Sequence, residues 1–449
     1  MTSPSRAGTV LHGGVRPGGP LSRAPLIALG VLAYVAALHE VHRLSIAPAF
    51  TYLRYSYREP GTAAALIALG LVVALALVLP SRLSRPSHLV AWTLFVVAVV
   101  PSIVVPQFSD VLSVPDATEL GLWVAASFLP VAVLGTRGAV HGLIPDLRMS
   151  HGTFWAVVTV TSGAVYAYII ATVGVSWELP SLADVYGVRD EFAAEETASG
   201  ALRYLVPLLV SVLNPLIVAR GLFERRWTWL VVGLLGQVFV YSFTGYRSAV
   251  LSPIALLGVY LLLRRGTRSS GSLLFGAAGL VAAMWVLDRL TSSIEFTSLL
   301  VRRFLITPGL LTAGYVYVFA DSDKVALSHS FLSAFSAYPY SQEPPLLVGS
   351  LFFGDPGTNA NANLMADGFA NFGYPGVLLE CLVLMVLLWI VDDAVRGVPW
   401  PFAGMVLIMP TLSLADSGIF TTMLTHGFLA AVLACACLPR TEPDEVAVP

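Results

Sequence analysis

The stretch NANANLMADGFANFGYPGVLLECLVLMVLLWIV, residues 359–391, joins two textures that rarely meet in a water-soluble protein. Its first half carries Asn359, Asn361, Asn363, Asp367 and Asn371. Its second half, from Gly376 to Val391, is apolar apart from Glu380. A bilayer crossing takes about 20 mostly apolar residues, so this reads as a polar segment leading into a transmembrane helix.

The rest of the 449-residue chain has the same character. Hydrophobic residues make up 56% and charged residues only 12%, too little charge to cover a soluble protein of this size. We expect an all-α, polytopic bundle of about twelve spans: 24–39, 62–80, 88–105, 118–134, 152–173, 201–219, 228–243, 248–263, 272–288, 376–391, 400–415 and 420–438. Residues 1–23, rich in Gly, Pro, Ser and Arg, read as a disordered tail. Residues 24–288 form a nine-span region, 289–375 a large structured outer loop, 376–438 three further spans and 439–449 a second tail. With both tails cytoplasmic, fifteen of the 25 basic residues lie inside and every short inner loop is basic, in accord with the positive-inside rule. Membrane lipids are the surroundings this implies. No basic tract or zinc spacing points to nucleic acid, and no phosphate-binding loop points to an ATP-driven motor. Cys381, Cys435 and Cys437 all sit in apolar runs and read as packing residues.

A structureless loop of nearly 90 residues is uncommon unless it has a task. Within 289–375, RRFLITPGLLTAGYVYVFA (302–320) is apolar enough to lie in the interface or dip back into the bundle. The amide cluster follows. If residues 359–363 are extended, Asn359, Asn361 and Asn363 line one face. If a helix starts at Asn363, then Asn363, Asp367 and Asn371 share one side. Gly373 suits its stop and Pro375 the first turn of the next helix. Amides both donate and accept hydrogen bonds, which suits a neutral ligand with many hydroxyls. The plainer alternative is a linker whose asparagines cap and turn the chain. Asp355, in a Gly-Asp-Pro turn, reads as structural.

Arginines on the outer side run against the charge bias. Arg247 stands between the seventh and eighth spans, and Arg302 and Arg303 are adjacent in the outer loop. Their planar forks match phosphate oxygens, although anchoring to ordinary headgroups would also explain them. His329, His426, Glu380 and Asp416 are ionisable groups in the outer loop or in spans, where such groups usually face a cavity or a partner. Any of them could be a base. Glu40, in the first outer loop, is a further candidate acid. There is no obvious metal box, so a metal-independent site without a cofactor is expected.

TGYRSAVL (244–251), the RRF of 302–304, the long outer loop and NANANLMADGFANFGYPGVLLE (359–380) together resemble the Wzy-type O-antigen and oligosaccharide repeat-unit polymerases, over about residues 241–391. The resemblance implies a GT-C-type helical fold, related to that of the O-antigen ligases, at the outer face of the cytoplasmic membrane. It implies transfer of a growing glycan from undecaprenyl diphosphate to the next lipid-linked repeat unit. A flippase and a chain-length regulator would be partners. Arg247 and Arg302, with Arg303 behind them, would hold the leaving diphosphate. Asn359, Asn361, Asn363, Asn371 and Tyr374 would border the sugar, and His329 or Asp367 would serve as base. The ligases' catalytic histidine has no recognisable motif here, so His329 rests on its location. Three alternatives remain: a polyprenyl-phosphate-sugar-dependent transferase of the cell-wall arabinan or mannan type, a polysaccharide ligase, and a transporter or flippase for lipid-linked glycans.

Overall fold

The computed structural model describes residues 23–138, 140–174, 180, 185–264, 269–330, 332–333 and 336–439. The two expected tails, save for Arg23 and Pro439, and residues 175–179 and 181–184 lie outside the described residues. What is described is helical, with a single isolated bridge between Arg82 and Ser269.

The first ten helices are α1 (Ala24–Ala49), α2 (Thr62–Val78), α3 (Pro86–Phe108), α4 (Val114–Arg137), α5 (His151–Val173), α6 (Val185–Ala198), α7 (Leu202–Phe223), α8 (Trp227–Thr244), α9 (Arg247–Arg264) and α10 (Gly271–Thr291). Then come α11 (Thr297–Phe319), α12 (Pro344–Phe353), α13 (Leu364–Phe372), α14 (Tyr374–Ala394), α15 (Trp400–Ser413), α16 (Ile419–Leu424) and α17 (Phe428–Cys437). Among the described residues, nine are long and apolar enough to cross a membrane: α1, α3, α4, α5, α7, α8, α10, α11 and α14. The chain is thus built as a multi-pass membrane protein. The expected spans at 62–80, 248–263, 400–415 and 420–438 are instead shorter apolar helices.

The apolar segment at 302–320 lies almost wholly in one longer helix, α11. This 23-residue helix occupies the first part of the segment expected as an outer cap, and two thirds of its most apolar window is buried. It packs against α3 and α13. Gly309 allows this, since a Cβ there would come 2.2 Å from the Pro101 carbonyl oxygen. The sequence obscured this helix because its first half mixes Arg302, Arg303 and Thr297 into the apolar pattern. That half is also wound as a π-helix, Thr297–Ile306.

Contacts sort the loops into two ends. At one end Arg148 donates to the carbonyls of Ala394, Arg396, Cys435 and Leu438. Asp393 accepts from the amides of Gly142 and Ile144, and Asp392 binds Ser87. At the other end Arg58 donates to the Leu112 carbonyl, Tyr55 meets Thr307, and Arg189 donates to the Gly245 carbonyl.

Two helices stop partway. At about 1.5 Å per residue, α15 is about 21 Å long and α17 about 15 Å, short of the roughly 30 Å of a hydrocarbon core. Both begin or finish at the Arg148 end, so they break inside the bundle, and residues 414–427 cross between them there. The Leu364 amide, at the start of α13, donates to the Leu414 carbonyl at 3.3 Å. The α13–α14 hairpin therefore packs onto this break. Gly368 and Gly376 set its closeness: a Cβ on Gly368 would lie 2.6 Å from the Gly376 carbonyl oxygen.

Candidate functional site

The site forms where the hairpin meets the crossover. Asn363 is the N-cap of α13, with its Oδ1 accepting from the amides of Met365 and Ala366. Asp367 follows in the first turn, where a carboxylate is favoured by the helix dipole. Its Oδ1 lies 3.1 Å from His329 Nε2, and its Oδ2 accepts from Asn371 Nδ2 at 3.0 Å. The His329 and Asp367 side chains are only 13% and 14% exposed. Asn371 Oδ1 in turn accepts the Leu327 amide at 2.8 Å and so fixes the turn that carries His329. The other imidazole nitrogen, His329 Nδ1, is buried without a hydrogen-bond partner among the described residues.

The electrostatics follow from this packing. Burial alone would push the His329 imidazole down. The bond and charge of Asp367 outweigh it, with help from Glu343, and hold the imidazole above its ordinary value. Burial alone would push the Asp367 carboxyl up. The His329 bond and charge, then Glu380 and Asn371, outweigh it and hold Asp367 below the usual carboxylate range. The pair is therefore an oriented base: Asp367 accepts Nε2–H, and Nδ1 keeps its lone pair for another proton.

The crossover supplies the far wall. Gly418 faces Asp367 so closely that a Cβ there would lie 2.3 Å from Oδ2. Asp416, on the same crossover, is exposed. Arg303 supplies the positive charge that acts on its carboxylate. Arg303 thus faces this acidic rim.

The remaining expected residues are placed as follows. Asn359 and Asn361 are exposed while Ala360 and Ala362 are buried, the alternation of an extended segment. Asn363 breaks it. It is fully buried, and its Nδ2 donates to Ser102 Oγ, the Pro308 carbonyl and Thr312 Oγ1. Asn363 and Asn371 thus hold the site from behind rather than presenting free amides to a ligand. Tyr374 stacks on Trp123, with ring centroids 5.3 Å apart, and meets Phe369 edge-on. Arg302 lies 4.2 Å above the Phe50 ring, near Tyr55, with its Nε on Ser298. Arg247 opens α9 beside Tyr246, which packs on a separate cluster with Phe192 and Phe243. The three arginines accordingly stand in three different surroundings.

Glu380, Glu343 and Gly418 complete the site. Glu380 had a signal, as the lone carboxyl in an apolar run; the other two had none. Two cavities, of about 270 and 500 Å³, lie at the Arg148 end, lined by Arg85, Asp392, Arg396 and their neighbours, away from His329.

A scan against protein-family models gives no match, and searches of curated proteins and of solved structures return no significantly similar protein.

Proposed function

We propose that this chain is a membrane glycosyltransferase that joins lipid-linked oligosaccharides at the outer face of the cytoplasmic membrane, with both termini inside. The carrying observation is the His329–Asp367 pair with its unpartnered Nδ1. In the reaction, Nδ1 takes the proton of the acceptor hydroxyl as that oxygen bonds the donor's anomeric carbon. The bond from that carbon to the diphosphate breaks, and the electron pair leaves with the polyprenyl diphosphate. Asp367 stabilises the imidazolium that forms. Arg303, at the rim, offers positive charge where the leaving group gains negative charge; Arg302 and Arg247 are second candidates for that role. Asn359 and Asn361 present exposed amides suited to sugar hydroxyls. The reaction as written calls on side chains alone, and the polymerase resemblance of the sequence accords with it.

The test is purified protein in nanodiscs with undecaprenyl diphosphate-linked oligosaccharide. Glycan growth with release of free undecaprenyl diphosphate is the expected result. Folded protein that produces neither refutes the proposal.

One observation favours a second reading. Helices broken inside the bundle, with carboxylates at the break, are a feature of transporters, and α15, α17 and the crossover have it. Flipping of a fluorescent lipid-linked glycan in proteoliposomes, without glycan growth, would select that reading.

A further inference from the structure

Asp367 has a third polar neighbour. Beyond His329 and Asn371, the carboxyl of Glu380 on α14 is its next polar neighbour: Gly418 abuts Asp367 and the adjacent Ile419 amide bonds Glu380. Glu380 is 1% exposed. Its Oε2 accepts the Ile419 amide at 3.1 Å, which ties α14 to the crossover. Its Oε1 meets no donor among the described residues.

Two carboxyl groups cannot hydrogen-bond without a proton between them, and two bare charges this close in a buried site repel strongly. One proton therefore belongs to the pair, and the partners decide where it sits. Both oxygens of Asp367 already accept from donors, one of them an imidazole. Oε2 of Glu380 accepts an amide. Oε1 is the oxygen left over. A proton there satisfies a buried atom and becomes a donor aimed at Asp367. The groups acting on Glu380 fit this: Asp367 is its charged neighbour, and the Ile419 amide and Asn371 are its polar ones.

We propose that Glu380 is held as the neutral acid, with the proton on Oε1 donated to Asp367, and that it is the positioning residue for the His329–Asp367 pair. The protonation rests on the burial of Glu380, its unpartnered Oε1 and its place beside Asp367 across Gly418 and Ile419; the kinetic consequence rests on the glycosyl-transfer reading. Glu380 adds a third hydrogen bond to the Asp367 carboxylate, which fixes the imidazole's partner in place without a second negative charge. Through Ile419 it also links the crossover to the base.

Glu380→Gln and Glu380→Leu, in full-length protein in nanodiscs, test it. A glutamine amide donates to Asp367 and its carbonyl accepts Ile419, so it copies the neutral acid. The infrared difference between parent and Glu380→Gln should show loss of the carbonyl stretch of a protonated acid. Loss of ionised carboxylate bands instead overturns the proposal. In the transfer assay, Glu380→Leu should lower kcat by about tenfold to a hundredfold, the value of a hydrogen bond to a charged group, and Glu380→Gln should restore it. A glutamine variant as slow as the leucine variant overturns the positioning role. If the parent shows no turnover, the glycosyl-transfer reading fails by itself and the infrared arm still decides the proton. If the leucine variant does not fold, both glutamine measurements stand, compared with the parent.

Discussion

Replacing Asn363 by alanine should cost stability, and the structure sets the size. The side chain makes five hydrogen bonds: three from Nδ2 and two to Oδ1. They are not equal in consequence. Ser102 and Thr312 also bond each other at 2.9 Å, and Thr312 donates to the Pro308 carbonyl at 2.7 Å, so these acceptors keep partners when Nδ2 goes. The amides of Met365 and Ala366 do not. Each buried donor left stranded costs about 1–3 kcal/mol, so the loss should be about 2–5 kcal/mol, above the usual range for a helix cap. Asn363→Ser keeps an acceptor for the cap and should lose less. Asn361→Ala, at an exposed position two residues away, should stay within about 0.5 kcal/mol of the parent. The assay is thermal unfolding of purified protein in detergent, followed by tryptophan fluorescence. An Asn363→Ala melting temperature equal to the parent's would refute the capping role. It would return Asn363 to the set of residues that could contact a ligand.

The remaining predictions concern the His329–Asp367 pair and its supports. A base must be neutral to act, and Asp367 holds the His329 imidazole above its ordinary value. Activity should therefore rise with pH through a midpoint above about 6.5, and Asp367→Asn should move that midpoint down while lowering the maximum rate; a pH–rate profile of the two proteins decides. Stability follows the same pair. The contribution of His329 is full below its unfolded value and lost as pH rises through the raised folded one; that of Asp367 is full above its unfolded value and lost as pH falls through the depressed one. Protection of the pair should thus peak between those limits, as unfolding measured across pH would show. Gly418→Ala should push Asp367 aside, since the added carbon would sit 2.3 Å from Oδ2; kcat and melting temperature should both fall, and an unimpaired variant would contradict the close approach.

How far the sequence could be read depended on what each pattern encodes. Long apolar runs without charge, such as 88–105 and 376–391, sit in helices of crossing length because burial of backbone in lipid leaves few other choices. The α13 segment was also legible: Asn363 starts it, Gly373 at φ 66° ends it, and Pro375 opens α14. Helix α11 was masked by its own arginines. The break between α15 and α17 could not be read because a half-helix and a whole one are equally apolar, and only length within the bundle tells them apart. In the site, His329 and Asp367 were each visible as single ionisable residues. Their pairing was not, since 38 positions separate them and nothing local records a contact of 3.1 Å. The phase that put Asn363 and Asn371 on one face with Asp367 was sound, yet periodicity does not say whether a face meets ligand or protein. Here both amides turn to the protein.

The claim at the centre of this account is that His329 Nδ1 accepts the proton of a sugar hydroxyl. His329→Ala tests it most directly, assayed for glycan growth in nanodiscs with and without added imidazole. Removing a positioned base typically costs a factor of about 10²–10⁴. The expected result is a loss of that order, with unchanged folding, and partial recovery when imidazole is supplied at a pH where it is neutral. Turnover by His329→Ala at the parental rate would contradict it.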